Sequence, residues 1–287
     1  MSLLNKLELT ENFSSSEKSI ANFILKYGND VLNMSSVDLA HATFTSPATI
    51  TRLSQKLGYK GYNEMKIDLS AQLQYTYMKE SEVNPNFPFH EKQTIHEIAH
   101  NISKLAKDSV DHTLSHIEIN TFTTVIRLLD KAECIDIYAV SNPLRLASDF
   151  QYKMFRIGKC VQIAPMVNEQ LFQAAQSQKN HCAILISYSG ETDEVNAAAQ
   201  ILKNKNTPTI AITSFGDNQL SRLCDYVLHV DSRERIYAKI STFGSSFSIY
   251  LLLDIIYSCI FSRNYQESLN FKLNTDRVID HRQEKKK

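Results

Sequence analysis

Between residues 134 and 230, short β-rich runs alternate with helical stretches, and this alternation restricts the fold more than any other feature of the chain. The runs are Cys134–Val140, Val161–Ala164, Cys182–Ile186, Pro208–Thr213 and Tyr226–Val230. Helical patterns precede or separate them at Phe122–Leu129, Leu144–Ile157, Asn168–Ser177 and Asp193–Leu202. Strands separated by helices build βαβ units, hence a mostly parallel sheet with helices on both faces. In such sheets ligands sit beyond the carboxyl ends of the strands. Two strand ends carry polar residues that could face one crevice: Ser141-Asn142 and Ser187 to Thr192.

The second of these ends is the more informative. Ile184-Leu185-Ile186-Ser187-Tyr188-Ser189-Gly190-Glu191-Thr192 runs directly into the helical Asp193–Leu202. Backbone N–H groups at a helix N-terminus point at whatever occupies the preceding loop, and the helix dipole there favours an anion. Ser187, Ser189 and Thr192 add three hydroxyls, and Gly190 lets backbone approach closely. A loop of this composition suits a phosphate monoester. It has no lysine, and its spacing is not that of a nucleotide-binding P-loop. The competing reading is an ordinary helix cap, the commonest role of Ser or Thr before a helix.

Residues 1–77 read as all helix. Ser14 to Glu17 matches a capping box, and Ile20, Phe23, Ile24 and Tyr27 follow at helical spacing, with Gly28 as a stop. Ser35 or Ser36 caps the next helix, which turns Val37, Leu39 and Ala40 inward. A further helix opens with Ser46 as N-cap and Pro47 at its first position, carries Ile50, Leu53 and Leu57 on one stripe, and ends at Gly58. Two short helices joined by a few residues form a helix-turn-helix pattern. The second helix presents Thr49, Thr51, Arg52, Gln55 and Lys56, residue types that read base edges in a major groove, while its N-terminus can hold a backbone phosphate. Formal net charge is zero, so any electrostatic case for nucleic acid is local; Arg52, Lys56, Lys60 and Lys66 supply it. The competing reading is a solvated helix face.

Residues 78–92, broken by Pro85 and Pro88, read as a linker. A long helix follows, with Ile95, Ile98, Ala99, Ile102, Leu105 and Ala106 on one stripe. His96 and His100 are four apart, compatible with a metal, but no carboxylate motif accompanies them and a polar outer face is the expectation. Ile240–Phe261 reads as an apolar helix expected to lie against the sheet and a second subunit; its longest apolar stretch, Phe247–Phe261, is interrupted by Asp254 and too short to span a bilayer. The C-terminal residues 271–287, ending in Asp280–Lys287, read as a solvated tail. The five cysteines form no C-x-x-C, so reduced buried thiols are expected. No signal-peptide pattern opens the chain, and a cytoplasmic protein without cofactor or metal is expected.

The two halves together resemble the RpiR-type bacterial transcription regulators. The N-terminal resemblance rests on Ser16–Leu25, Leu32–Ser35, Leu39-Ala40, Ser46–Leu53 and Lys56–Tyr62. The C-terminal one rests on Ile186–Thr192, Ile210–Thr213 and Leu220–Asp225. It implies an all-α helix-turn-helix domain at 1–77, a linker at 78–92, and an α/β doubly wound sugar isomerase (SIS) domain at 93–270. It implies that Ser187, Ser189 and Thr192 hold a sugar phosphate, that Tyr188 and Gly190 shape the loop, and that Ser46, Pro47, Thr49, Thr51, Arg52, Gln55, Lys56 and Lys60 meet double-stranded operator DNA. Such proteins are dimers or tetramers that control sugar catabolism genes.

Two departures stand out. The family's first ligand loop, Gly-x-Gly-x-Ser, is here Ala139-Val140-Ser141-Asn142-Pro143, so Ser141 or Asn142 must donate instead and the sugar pocket is expected to be altered. The usual Gly-Val of the helix-turn-helix turn is Phe44-Thr45, and because Phe resists positive φ the turn is expected to take another shape. Two rival functions remain: a phosphosugar isomerase, for which Glu234 and then His229 would be the base, and a regulator whose second domain only oligomerises. Glu234 could alternatively contact the effector.

Overall fold

The computed structural model describes residues 3–10, 12–77, 83–164, 166–231 and 233–279. The chain forms two compact units, Met1–Leu105 with Ser232–Ser241, and Ala106–Asp231 with Thr242–Lys287.

The first unit contains α1 (Leu3–Glu8), α2 (Ser15–Leu32), α3 (Ser36–Ala42), α4 (Pro47–Lys56) and α5 (Tyr62–Tyr77). Leu3, Leu7, Ile20, Ile24, Leu39, Ile50, Leu53, Met65 and Leu69 meet in one fully buried core. Burial of each such side chain contributes about 1.5–3 kcal/mol before entropy is counted. Capping boxes open α2 (Ser14 with Glu17) and α3 (Ser35 with Asp38), and the carboxyl groups of both acids are held below their usual pKa by hydrogen bonds from the capping serines.

Three local expectations change. Gly28 does not end α2, which bends at Tyr27 and continues to Leu32; a Cβ at Gly28 would meet Leu73 of α5 at 3.1 Å, so this glycine makes room for a neighbouring helix. Val37 is half exposed rather than turned inward. The α3–α4 turn keeps its left-handed residue: Phe44 has φ 53°. Thr45 N–H donates to Ala40 O at 2.9 Å and Phe44 N–H to His41 O at 3.3 Å. This paired pattern is a Schellman helix end, whose hydrogen bonds and the flanking threonines impose a glycine conformation on a phenylalanine. α4 ends in the same way, with Gly58 N–H to Gln55 O at 3.0 Å, Tyr59 N–H to Ser54 O at 3.0 Å, and Gly58 at φ 96°.

Residues 233–241 also belong to the first unit. The Glu8 carboxylate accepts from the N–H groups of Ile236 and Tyr237 at 2.8 and 3.0 Å. Asn86 accepts from Arg235 N–H at 2.6 Å, donates to Arg233 O at 3.4 Å, and accepts at its own carbonyl from Ile240 N–H at 2.9 Å.

α6 (Ile95–Ser115) leads to the second unit, which continues with α7 (Ile119–Lys131), β1 (Cys134–Ala139), α8 (Asn142–Phe155), β2 (Cys160–Ile163) and α9 (Gln170–Gln176). Next come β3 (Cys182–Ile186), α10 (Asp193–Lys205), β4 (Thr209–Ser214), α11 (Gln219–Leu223), β5 (Tyr226–Val230), α12 (Phe243–Arg263) and α13 (Tyr265–Ile279). The sheet is parallel throughout in the order β2-β1-β3-β4-β5. Alternate residues of each strand serve opposite layers. Ile135, Ile137, Ile184, Ile186, Ile210 and Ile212 pack with α7, α8 and α12, whereas Tyr138, Ala183, Leu185 and Ala211 pack with α9, α10 and α11. β1 and β3 are buried at every position, which explains the apolar run of β3 and that of β1, broken only by Asp136, whose carboxylate meets Ser177 and His181.

α12 starts at Phe243 rather than Ile240, because the preceding segment is held in non-helical form by Asn86. It is long and apolar enough to cross a bilayer by length and composition, but Ile249, Leu252, Leu253, Ile256 and Ile260 pack into the core beside α8. The tail expected from residue 271 is helical up to Ile279: Asp276 of α13 pairs with Arg156, and Phe271 lies over Gly158. Asp280–Lys287 lies outside the described residues. Cys134 and Cys160 are opposite each other across β1 and β2 and form a disulfide, contrary to the expectation of reduced thiols. They lie 26 positions apart in sequence, and the parallel pairing of β1 with β2 brings them together. Cys182 and Cys224 are free, and burial pushes each thiol up to about 12.

Candidate functional site

The loop from Ser187 to Thr192 leaves the carboxyl end of β3, where Ser187 N–H still donates to Ile212 O of β4 at 3.1 Å. Its hydroxyls converge. Ser187 Oγ lies 2.7 Å from Thr192 Oγ1 and 3.5 Å from Ser189 Oγ. Ser187 Oγ also accepts from Gly190 N–H at 3.1 Å, and Ser189 Oγ accepts from Glu191 N–H at 3.1 Å. Thr192 occupies the N-cap of α10, yet its side chain makes no capping hydrogen bond. Thr192 therefore does not cap α10 with its side chain: the hydroxyl is turned into the loop, toward Ser187. The first-turn N–H groups of α10 are left to water or a ligand.

Gly190 is required at this point for two reasons. Its φ is +71°, and a Cβ there would lie 2.0 Å from Asn218 Oδ1. Asn218 N-caps α11 and donates to Thr213 Oγ1 at 3.2 Å, so it cannot easily retreat. Asn196 donates to Gly190 O at 3.2 Å, and Leu220 N–H donates to the same carbonyl at 3.0 Å. Glu191 Oε1 accepts from Gln219 N–H at 3.1 Å. Tyr188 is half-buried, and its carbonyl accepts from Ser214 N–H at 3.0 Å. Asn218, Asn196 and Glu191 were not singled out from the sequence. The signal for Asn218 was weak: it lies 28 residues beyond Gly190, and only the α10 crossover returns it to the loop.

The β1–α8 loop adopts a glycine backbone without glycine. Ser141 has φ 58° and ψ −126°, is exposed, and does not cap α8. Asn142 is committed elsewhere: its side-chain amide donates to Thr242 Oγ1 at 3.2 Å and to Ser246 Oγ at 2.7 Å, fastening the start of α8 to the start of α12. Of the two expected replacement donors, Ser141 is exposed and Asn142 holds structure. Glu234 is buried and faces Lys239 Nζ at 3.3 Å within the first unit. His229 packs against Phe215 with the rings tilted and their centroids 5.0 Å apart, and burial lowers its pKa.

On α4, Ser46, Pro47, Thr51, Arg52, Gln55 and Lys56 are exposed, and Lys60 is exposed just beyond the helix. Thr49 is half-buried and shares a hydrogen bond with Ser46 Oγ at 2.9 Å, so it completes the cap. Lys56 reaches Glu17 Oε2 at 3.0 Å and the Asn12 carbonyl at 2.5 Å, tying α4 to the start of α2. His96 and His100 are both exposed on α6, and no group of three metal-ligating side chains occurs among the described residues.

A helix-turn-helix unit with a polar second helix, followed by a doubly wound unit with a hydroxyl-lined loop, is the architecture of a two-domain transcription regulator. The helix-turn-helix domain of the rpiR family matches residues 1–76, and the SIS domain matches residues 128–255. With both domains in that order, the chain belongs to the RpiR-type transcription regulators. It is 27% identical over 276 residues to an uncharacterized HTH-type transcriptional regulator of Caldanaerobacter subterraneus subsp. tengcongensis, covering 96% of this chain and 95% of that one. A similar regulator of Clostridium perfringens is 24% identical, over 97% of this chain and 99% of the relative. Among solved structures, the Vibrio vulnificus NanR protein complexed with ManNAc-6P is 25% identical, with a TM-score of 0.61 over 97% of this chain and 98% of that one.

Proposed function

We propose that this chain binds operator DNA through α4 and regulates carbohydrate metabolism genes under the control of a phosphorylated sugar held by Ser187–Thr192. One observation carries the reading: Thr192 stands at the N-cap of α10 but points its hydroxyl at Ser187, so three hydroxyls and a helix N-terminus face one spot. In support, the NanR relative was solved with a sugar phosphate. Ser187, Ser189 and Thr192 donate to the phosphate oxygens, Gly190 holds the loop, and Ser141 supplies a hydroxyl from the neighbouring strand end. Asn142 acts indirectly by fixing α8 to α12.

The active form is a cytoplasmic homo-oligomer, dimer or tetramer, that places two recognition helices on a two-fold-related operator. The effector controls DNA binding only if it binds two states differently, and a coupling of about 1–3 kcal/mol is enough. Residues 233–241 give the change a route: the chain leaves β5, is held in the first unit by Glu8 and Asn86, and returns to Thr242, the partner of Asn142. The protein acts without catalysis, because Glu234, its best candidate base, is buried against Lys239.

A thermal-shift titration with N-acetylmannosamine 6-phosphate and a panel of other sugar phosphates, each beside its free sugar, tests the effector class. A ligand at a hundred times its Kd stabilises the folded state by about 2.7 kcal/mol. One phosphosugar should raise Tm while its free sugar does not, and Ser189→Ala should abolish the shift with basal DNA binding intact. No shift across the panel would leave the second unit as an oligomerisation module.

A further inference from the structure

Phe44 has no stabilising reason to be phenylalanine. It occupies the left-handed position of the Schellman end of α3, at φ 53°, where glycine is the usual residue and a Cβ is disfavoured. Burial does not compensate, because the side chain is 98% exposed. The equivalent end of α4 carries glycine at φ 96°. The turn is also held rigidly. Thr43 Oγ1 donates to Leu39 O at 2.7 Å and lies 2.9 Å from Thr45 Oγ1. The Phe44 backbone is therefore held in a fixed place, two residues before Ser46, the N-cap of α4, with the ring in open solvent. Strain that the fold does not repay, at an exposed and rigid position, points to a function outside the fold.

Resting on the reading of α4 as a recognition helix, we propose that Phe44 is a DNA-contacting residue that packs against apolar surface of the duplex. That surface is either the 5-methyl group of a thymine or the face of a deoxyribose. A phenyl ring neither donates hydrogen bonds nor carries charge, so it discriminates by shape and apolar contact, as side chains do at thymine methyls in the major groove. It adds nothing to the counterion-release part of affinity, which follows the phosphate contacts of basic groups. Phe44 thus separates two jobs: basic and hydroxyl groups of α4 position the helix, and the ring adds apolar contact at its N-terminal end, with sequence preference where that contact is a thymine methyl.

The test uses the full chain and a duplex selected by it from a randomised pool. Phe44→Gly and Phe44→Asn both tolerate the left-handed backbone, so both should fold and melt no lower than the parent. Each should bind the selected duplex about fivefold or more weakly, with the salt dependence unchanged. Replacing single thymines by deoxyuridine removes only the methyl group. Loss of parental binding at one such position, with no further loss in Phe44→Gly, assigns the ring to a thymine; indifference to every such replacement assigns it to the sugar. Arg52→Ala is the control for the underlying reading. If Arg52→Ala loses affinity while both Phe44 variants bind like the parent, the proposal is overturned. If Arg52→Ala and the Phe44 variants all bind like the parent, α4 is not the recognition helix and both ideas fall.

Discussion

The loops that leave β1 and β3 each place one residue at positive φ, and they use different residues to do it. Gly190 serves the β3 loop at φ +71° and Ser141 serves the β1 loop at φ 58°. The difference lies in what surrounds the missing or present Cβ. At Gly190 an added Cβ would strike Asn218, so both space and conformation demand glycine. At Ser141, with φ 58° and ψ −126°, the side chain is exposed and only conformation favours glycine, a demand of about 1–3 kcal/mol that a useful hydroxyl can outweigh. The first unit repeats the contrast with Gly58 and Phe44. A left-handed position that keeps a side chain in open solvent is where a function for that side chain should be sought.

The hardest test of this contrast is Gly190→Ala. It should lower stability by about 2 kcal/mol or more and eliminate phosphosugar binding, read by thermal denaturation and titration. Stability equal to the parent would mean that the approach of Asn218 is not fixed. A smaller, two-sided effect is expected where space is open. Ser141→Gly should stabilise by about 1 kcal/mol while weakening sugar binding, and Gly58→Ala, whose Cβ would meet only Lys6 Nζ at 3.8 Å, should destabilise by a similar amount. Changes of the same sign in both variants would break the comparison. The smallest effect concerns what the β1 loop has and the β3 loop lacks, a bond to Thr242 at the end of the returning segment. Glu8→Ala removes two hydrogen bonds from Ile236 and Tyr237 and should cost about 1 kcal/mol in stability. Its sharper signature is a sugar affinity like the parent's with a diminished effect of sugar on DNA binding; a full response would remove this segment from the route.

The helical end of the molecule was the more legible. Ser14, Ser35 and Ser46 each cap the helix that follows, because capping depends on residues three apart in sequence. The strands came next, since buried parallel strands leave short apolar runs, interrupted in β1 by Asp136 alone. Legibility failed where partners are distant. Gly28 looked like a helix stop because its neighbour Leu73 lies 45 residues away, and residues 271–279 looked like a tail because Arg156 is remote from Asp276. The Phe44 turn failed for a different reason: residue preference argued against positive φ, and the hydrogen bonds of the helix end overruled it.

Sequence alone determined the two-part order of the chain, its helix caps, its parallel sheet and the hydroxyl loop after β3, all of which arise from local spacing and periodicity. Tertiary structure decided that Thr192 turns toward Ser187 instead of capping α10, that Asn142 fastens α12 and leaves Ser141 open, and that Cys134 meets Cys160. Those outcomes depend on which groups the loop fold and the βαβ crossovers bring within about 3 Å of one another, and a hydrogen bond or a disulfide exists only at such range.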